Sequence, residues 1–143
     1  MASSRNQSQI TWSSGAASVT LSSNNTRSTS DAFAFNVEDW DADLMLYADN
    51  SGTPAAGDTV DFYIHYTCGD INTDASDEYA TNEHAEFLCR LDTVAANTPG
   101  EDPAAKVIPI RTTASGFKIS CEGPQVATRN IVCRARVVTR RPQ

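Results

Sequence analysis

The chain has 143 residues, with 11 Lys and Arg against 18 Asp and Glu, a formal net charge of −7 and 40% hydrophobic residues. That length can bury one core without disulfide or metal staples, and the modest hydrophobic fraction suits a well-solvated β-sandwich better than a large helical core. No apolar run approaches the roughly 20 residues of a membrane-crossing helix, and the acidic excess repels phosphate, so neither a membrane nor a nucleic acid is an expected partner.

Residues 1–8 are polar and carry too few apolar side chains to pack by themselves, which predicts a flexible N-terminal arm ahead of a single sandwich domain over 9–143. The arm lacks the basic start and apolar middle of a signal peptide, so no export is expected. Strand candidates then follow at short intervals: Gln9–Trp12, Ala17–Ser22, Ala32–Val37, Ala42–Asp49, Thr59–Cys68, Ala85–Thr93, Lys106–Thr112, Phe117–Cys121 and Ile131–Thr139. Trp12 is the first large anchor. The Thr59–Cys68 segment alternates most cleanly, with Val60, Phe62, Ile64, Tyr66 and Cys68 on one face and Asp61, Tyr63, His65 and Thr67 on the other. In the next segment the same period sets Phe87, Cys89 and Leu91 inward and Leu88 outward. In the last it sets Ile131, Cys133, Ala135 and Val137 inward, leaving Val132, Arg134, Arg136 and Val138 as an amphipathic outer face. Clusters such as Asn50-Ser51-Gly52-Thr53-Pro54 and Asn97-Thr98-Pro99-Gly100 supply the turns between strands. Eight or nine strands with no helical segment predict an all-β antiparallel sandwich, jelly-roll or Ig-like, with Val60, Phe62, Ile64, Phe87, Leu91, Ile119 and Val137 in its core.

Charge is distributed unevenly along the chain. Residues 1–104 hold 17 acids against 3 bases, whereas residues 105–143 hold 1 acid against 8 bases. Opposite charges on neighbouring strands would pair on folding, or a basic edge would meet an acidic surface on another subunit. Cys68, Cys89, Cys121 and Cys133 are too widely spaced for a zinc pattern, and without an export signal they are expected reduced. Asp70, Asn72 and Asp74 open like a calcium loop, but Ala75 stands where the turn glycine belongs and Thr81 where a bidentate Glu belongs, so no metal is expected. Glu38, Asp39, Asp41 and Asp43 read as a charge-protected sheet edge. His65 and His84 could each be a general base, yet no nucleophile motif accompanies them, so neither a catalytic residue nor a cofactor is expected. Tyr63, Tyr66, Tyr79 and Trp40 could line a sugar- or peptide-binding groove, or simply pack.

Taken in order, the Ser30–Phe33 entry, the stretch ADNSGTPAAGDTVDFYI (Ala48–Ile64), the DEY loop (Asp77–Tyr79), EHAEFLCRLDT (Glu83–Thr93), the DPA segment (Asp102–Ala104) and the basic terminal strand make the chain resemble the small β-rich virion proteins of tailed bacteriophages, most of all capsid decoration or cement proteins. The resemblance spans most of residues 28–141 and rests on turn and strand signatures. It implies a non-enzymatic structural protein, made in the host cytoplasm, that sits on the capsid surface of the virion as a homotrimer, binds the major capsid protein and stabilises the head. Arg5, Trp12, Arg134 and Arg136 are the partner-contact residues expected on that reading. A tail tube or connector protein and a carbohydrate- or receptor-binding sandwich are the alternatives.

Overall fold

A computed structural model describes residues 3–21, 26–50, 58–69, 79–93, 104–123 and 131–142. They form ten strands: β1 (Ser3–Gln9), β2 (Val19–Leu21), β3 (Thr26–Thr29), β4 (Phe33–Ala34), β5 (Asp41–Asn50), β6 (Thr59–Thr67), β7 (Glu86–Asp92), β8 (Ala104–Ile110), β9 (Gly116–Gly123) and β10 (Ile131–Pro142). Every pairing among them is antiparallel, and they divide into two sheets that pack face to face as an all-β sandwich.

In the first sheet β10 is flanked by β5 on one side, with β8 beyond it, and on the other side by β1 and β2 placed end to end. The second sheet repeats the plan around β9. There β6 and then β7 lie on one side, and β3 and β4 share the other edge. The period-2 pattern explains what is inside. Leu44, Leu46 and Ala48 of β5 and Ile131, Cys133, Ala135 and Val137 of β10 face Val60, Phe62 and Ile64 of β6 and Phe117, Ile119 and Cys121 of β9. Phe33, Phe35 and Phe117 close one end with ring centroids 5.2 to 5.6 Å apart.

Four expectations are corrected. Residues 3–8, expected as a free arm, belong to β1, which pairs with β10 from Ser3↔Pro142 to Gln9↔Arg136. A segment with almost no apolar side chains is held there by the backbone ladder of an edge strand rather than by core packing. Residues Ile10 to Trp12, expected to extend as strand, instead lead into a tight turn, in which Trp12 and Ala16 exchange two backbone hydrogen bonds of 2.7 Å. Ser13 and Ser14 adopt φ of 46° and 62° there. The Asp31 carboxylate stabilises that left-handed backbone, accepting from Thr11 Oγ1 at 2.8 Å and from the Ser14 and Gly15 amides at 3.0 Å each. Those bonds, Thr11 foremost, hold the Asp31 carboxyl below its usual range.

Phe87, expected in the core, is 58% exposed. The cause is a β-bulge: Phe62 pairs with Cys89, but Tyr63 pairs with Phe87, so one residue is skipped and the inward-outward phase flips. Leu88 consequently packs against the core and Phe87 stacks edge-on to Tyr63 on the outer face, with ring centroids 5.7 Å apart. Cys68 likewise lies outside the core, because β6 ends at Thr67; Cys89, Cys121 and Cys133 are buried.

Candidate partner-binding face

The outer face of the first sheet sets four arginines beside three aspartates. Strand β10 presents Arg140, Val138, Arg136, Arg134 and Val132 outward, with Arg5 of β1 beside Arg140. Strand β5, its neighbour, presents Asp41, Asp43, Met45, Tyr47 and Asp49. The register aligns the rows: Arg5, Arg140 and Asp41; Val138 and Asp43; Arg136, Met45 and Val107; Arg134 and Tyr47. A basic column and an acidic column therefore run side by side, with an apolar middle in which Met45 is 42% and Val107 59% exposed.

Two shallow concavities indent this face and share Met45. One, of about 290 Å³, lies between Arg5, Asp41, Asp43 and Arg140; the other, of about 240 Å³, lies between Gln9, Tyr47, Arg134 and Arg136. Across the columns, Arg140 reaches Asp41 at 3.8 Å and stands 5.7 Å from the Trp40 ring. Arg134 sits 5.7 Å over Tyr47, and Arg136 Nη2 donates to Gln9 Oε1 at 3.3 Å. These are long, exposed contacts, worth little in water and easily exchanged for contacts with another molecule.

Of the four expected contact residues, three are brought together here: Arg5, Arg134 and Arg136. Trp12 is not. It is 1% exposed, packed in the core where the turn at residues 12–16 meets Ser30, so it cannot touch a partner surface. The expectation missed Arg140, Met45 and Val107. The first two were readable, since an outward phase at Arg134 and Arg136 continues to Arg140, and inward Leu44 and Leu46 imply outward Met45. The acidic residues were misplaced as an edge: β5 lies between β10 and β8, and Asp39 leaves the row altogether. Its side chain is buried in the turn before β5, where Arg141 Nε approaches it at 2.8 Å and the Asn36 amide donates to it at 2.8 Å.

Among the described residues, the second sheet holds one arrangement that resembles catalytic geometry. His65 Nε2 lies 2.7 Å from Ser120 Oγ, and its Nδ1 lies 2.8 Å from the Ala80 carbonyl. Since a carbonyl only accepts, Nδ1 carries the proton and Ser120 donates to Nε2. Arg27 donates twice to the same Oγ, at 3.1 and 3.0 Å, filling both of its lone pairs. Ser120 is fully buried. A nucleophile needs an approach path and a free lone pair, and this hydroxyl has neither, so the cluster ties β3, β6 and β9 together. Desolvation, reinforced by Arg27 and Lys118, pushes the His65 pKa down.

The aromatic groove envisaged from the sequence is not assembled. Tyr63 lies under Arg27 on the outer face of the second sheet, Tyr66 faces the other way and accepts from the Arg111 amide, Tyr79 lies under Lys118, and Trp40 belongs to the first sheet's end. The calcium-like run Asp70–Asp74 lies outside the described residues. Among the described residues no cluster of metal-ligating side chains is found.

No family model and no curated protein matches the chain. Solved structures to which the chain shows some similarity include FlhE (TM-score 0.43, 10% identity, 99% of this chain and 97% of that one) and the acid-stable capsid of Helicobacter pylori bacteriophage KHP30 (TM-score 0.46, 13% identity, 99% and 95%). At these values neither likeness bears on what the chain does.

Proposed function

We propose that the chain is a non-enzymatic structural protein of a phage virion, a decoration protein that binds the outside of the assembled capsid and stabilises the head. The observation that carries this reading is the outer face of β1, β10, β5 and β8, where Arg5, Arg134, Arg136 and Arg140 stand beside Asp41, Asp43 and Asp49 around exposed Met45 and Val107. Such a face is a protein contact: apolar at its middle and charged at its margins. The sandwich provides a rigid frame for it, as a clamp between capsid subunits requires, and the order of turn and strand motifs resembles that of decoration proteins.

The test is co-sedimentation of the purified protein with capsids that lack it. The protein should travel with the capsids, and Arg134→Glu with Arg136→Glu should release it at unchanged fold. A protein that stays in the supernatant overturns the reading. Binding to isolated tails alone would move the role to a tail tube or connector.

A further inference from the structure

We infer that the outer face of the first sheet pairs with the same face of a second copy of this chain, about a two-fold axis that runs parallel to the strands between β10 and β5. The inference rests on the reading of that face as a protein contact and names the partner that covers it in the free protein, one that the capsid must displace.

The pattern of charge makes the argument. Strands β1 and β10 carry Arg5, Arg134, Arg136 and Arg140 on this face, and β5 carries Asp41, Asp43 and Asp49. The face is thus close to neutral in sum but antisymmetric about the line between β10 and β5. A partner of a single sign would satisfy one column and repel the other. A second copy turned about an axis along that line satisfies both at once, because the rotation exchanges left and right while keeping each row in place. Arg140 then lies across from the partner copy's Asp41, Arg136 from its Met45 with Asp43 one step along the strand, and Arg134 from the ring of its Tyr47. A two-fold axis across the strands would instead set Arg over Arg and Asp over Asp. Two sheets stacked face to face stand about 10 Å apart, a gap that Arg and Asp side chains bridge from opposite sides while Met45 and Val138 fill the middle.

The contact is small. Four strands at about 4.8 Å spacing and six residues at about 3.4 Å rise make a footprint of about 20 by 20 Å, under the area of a standard stable interface. The pair is therefore a concentration-dependent dimer, and its closed two-fold symmetry replaces the trimer that the resemblance to decoration proteins implies.

Two charge variants test the inference by sedimentation velocity on the whole chain. Arg136→Glu with Arg140→Glu turns the face net acidic, leaving Arg5 and Arg134 against five carboxylates; Asp41→Arg with Asp43→Arg turns it net basic, leaving Asp49 against six Arg. Circular dichroism and unfolding midpoints verify that each keeps the sandwich. The wild-type chain should shift from monomer to dimer with rising concentration and back with added salt. Each variant alone should remain monomeric, and an equimolar mixture of the two should dimerise at least as well as the wild type. A wild type monomeric up to several hundred micromolar overturns the inference, as do variants that still self-associate. A wild-type trimer does the same. Capsid co-sedimentation is scored separately, so the decoration reading can fail while the dimer stands, and the reverse.

Discussion

Replacing Phe62 and Phe87 by Ala, one at a time, tests the bulge that the register reveals in β7. Phe62 is fully buried between the sheets. Its truncation removes the whole ring from the core and leaves a cavity that the neighbouring strands cannot close, costing about 3–5 kcal/mol. Phe87 keeps only 42% of its surface from water, being 58% exposed. For an aromatic side chain of about 200 Å² that is about 80 Å², or about 2 kcal/mol at 25 cal/mol per Å², an upper bound because the unfolded chain also hides some of it. The edge-on contact with Tyr63 is included in that bound rather than added to it. Urea unfolding followed by tryptophan fluorescence reads both variants against the wild type, with the slope m checked for constancy. The expected order is Phe62→Ala far below Phe87→Ala, with Leu88→Ala costing more than its expected outward position would allow. Equal losses for Phe62→Ala and Phe87→Ala would refute the bulge and restore Phe87 to the core.

Arg141→Ala should cost about 3 kcal/mol by stranding the buried Asp39 carboxylate, and adding Asp39→Asn should recover part of the loss; a change under 0.5 kcal/mol in thermal unfolding would contradict this. His65 has a folded pKa below its ordinary 6.5, so the unfolded chain takes the proton first. Its contribution is complete above that pH and is lost as pH falls toward the folded value. His65→Gln, which can donate to Ala80 and accept from Ser120 without titrating, should flatten the urea midpoint between pH 7 and pH 5 relative to wild type, and parallel curves would contradict the assignment. Gly123→Ala should destabilise by about 1–3 kcal/mol, because a Cβ there falls far inside contact distance of the Thr59 carbonyl, a backbone atom that cannot step aside; an unchanged midpoint would show that β9 and β6 can spread at no cost.

The sandwich was legible wherever a strand alternates without interruption. Val60, Phe62 and Ile64 in β6 and Ile131, Cys133, Ala135 and Val137 in β10 are inside as their period requires. It failed where backbone rather than side chains decides. Residues Ser3 to Gln9 carry no hydrophobic pattern, and only the ladder with β10 makes them a strand. The bulge opposite Tyr63 is invisible in the alternation of β7, because Phe87 and Leu88 are both apolar and either phase reads equally well. Trp12 is a contact residue only on the resemblance; a large aromatic next to a turn is as easily an anchor for the core, and the turn geometry at Ser13 and Ser14 gives it that role. The contact face was half legible. Arg134 and Arg136 announce it, whereas the acidic column beside them required knowing that β10 pairs with β5, a neighbour more than 80 positions away in the sequence.

Electron cryomicroscopy of virions assembled with and without the chain tests the decoration reading most directly. With the chain present, an added all-β density should lie on the outer surface of the head, and it should vanish from particles made without the chain. Identical heads in the two preparations, or added density confined to the tail, would contradict it.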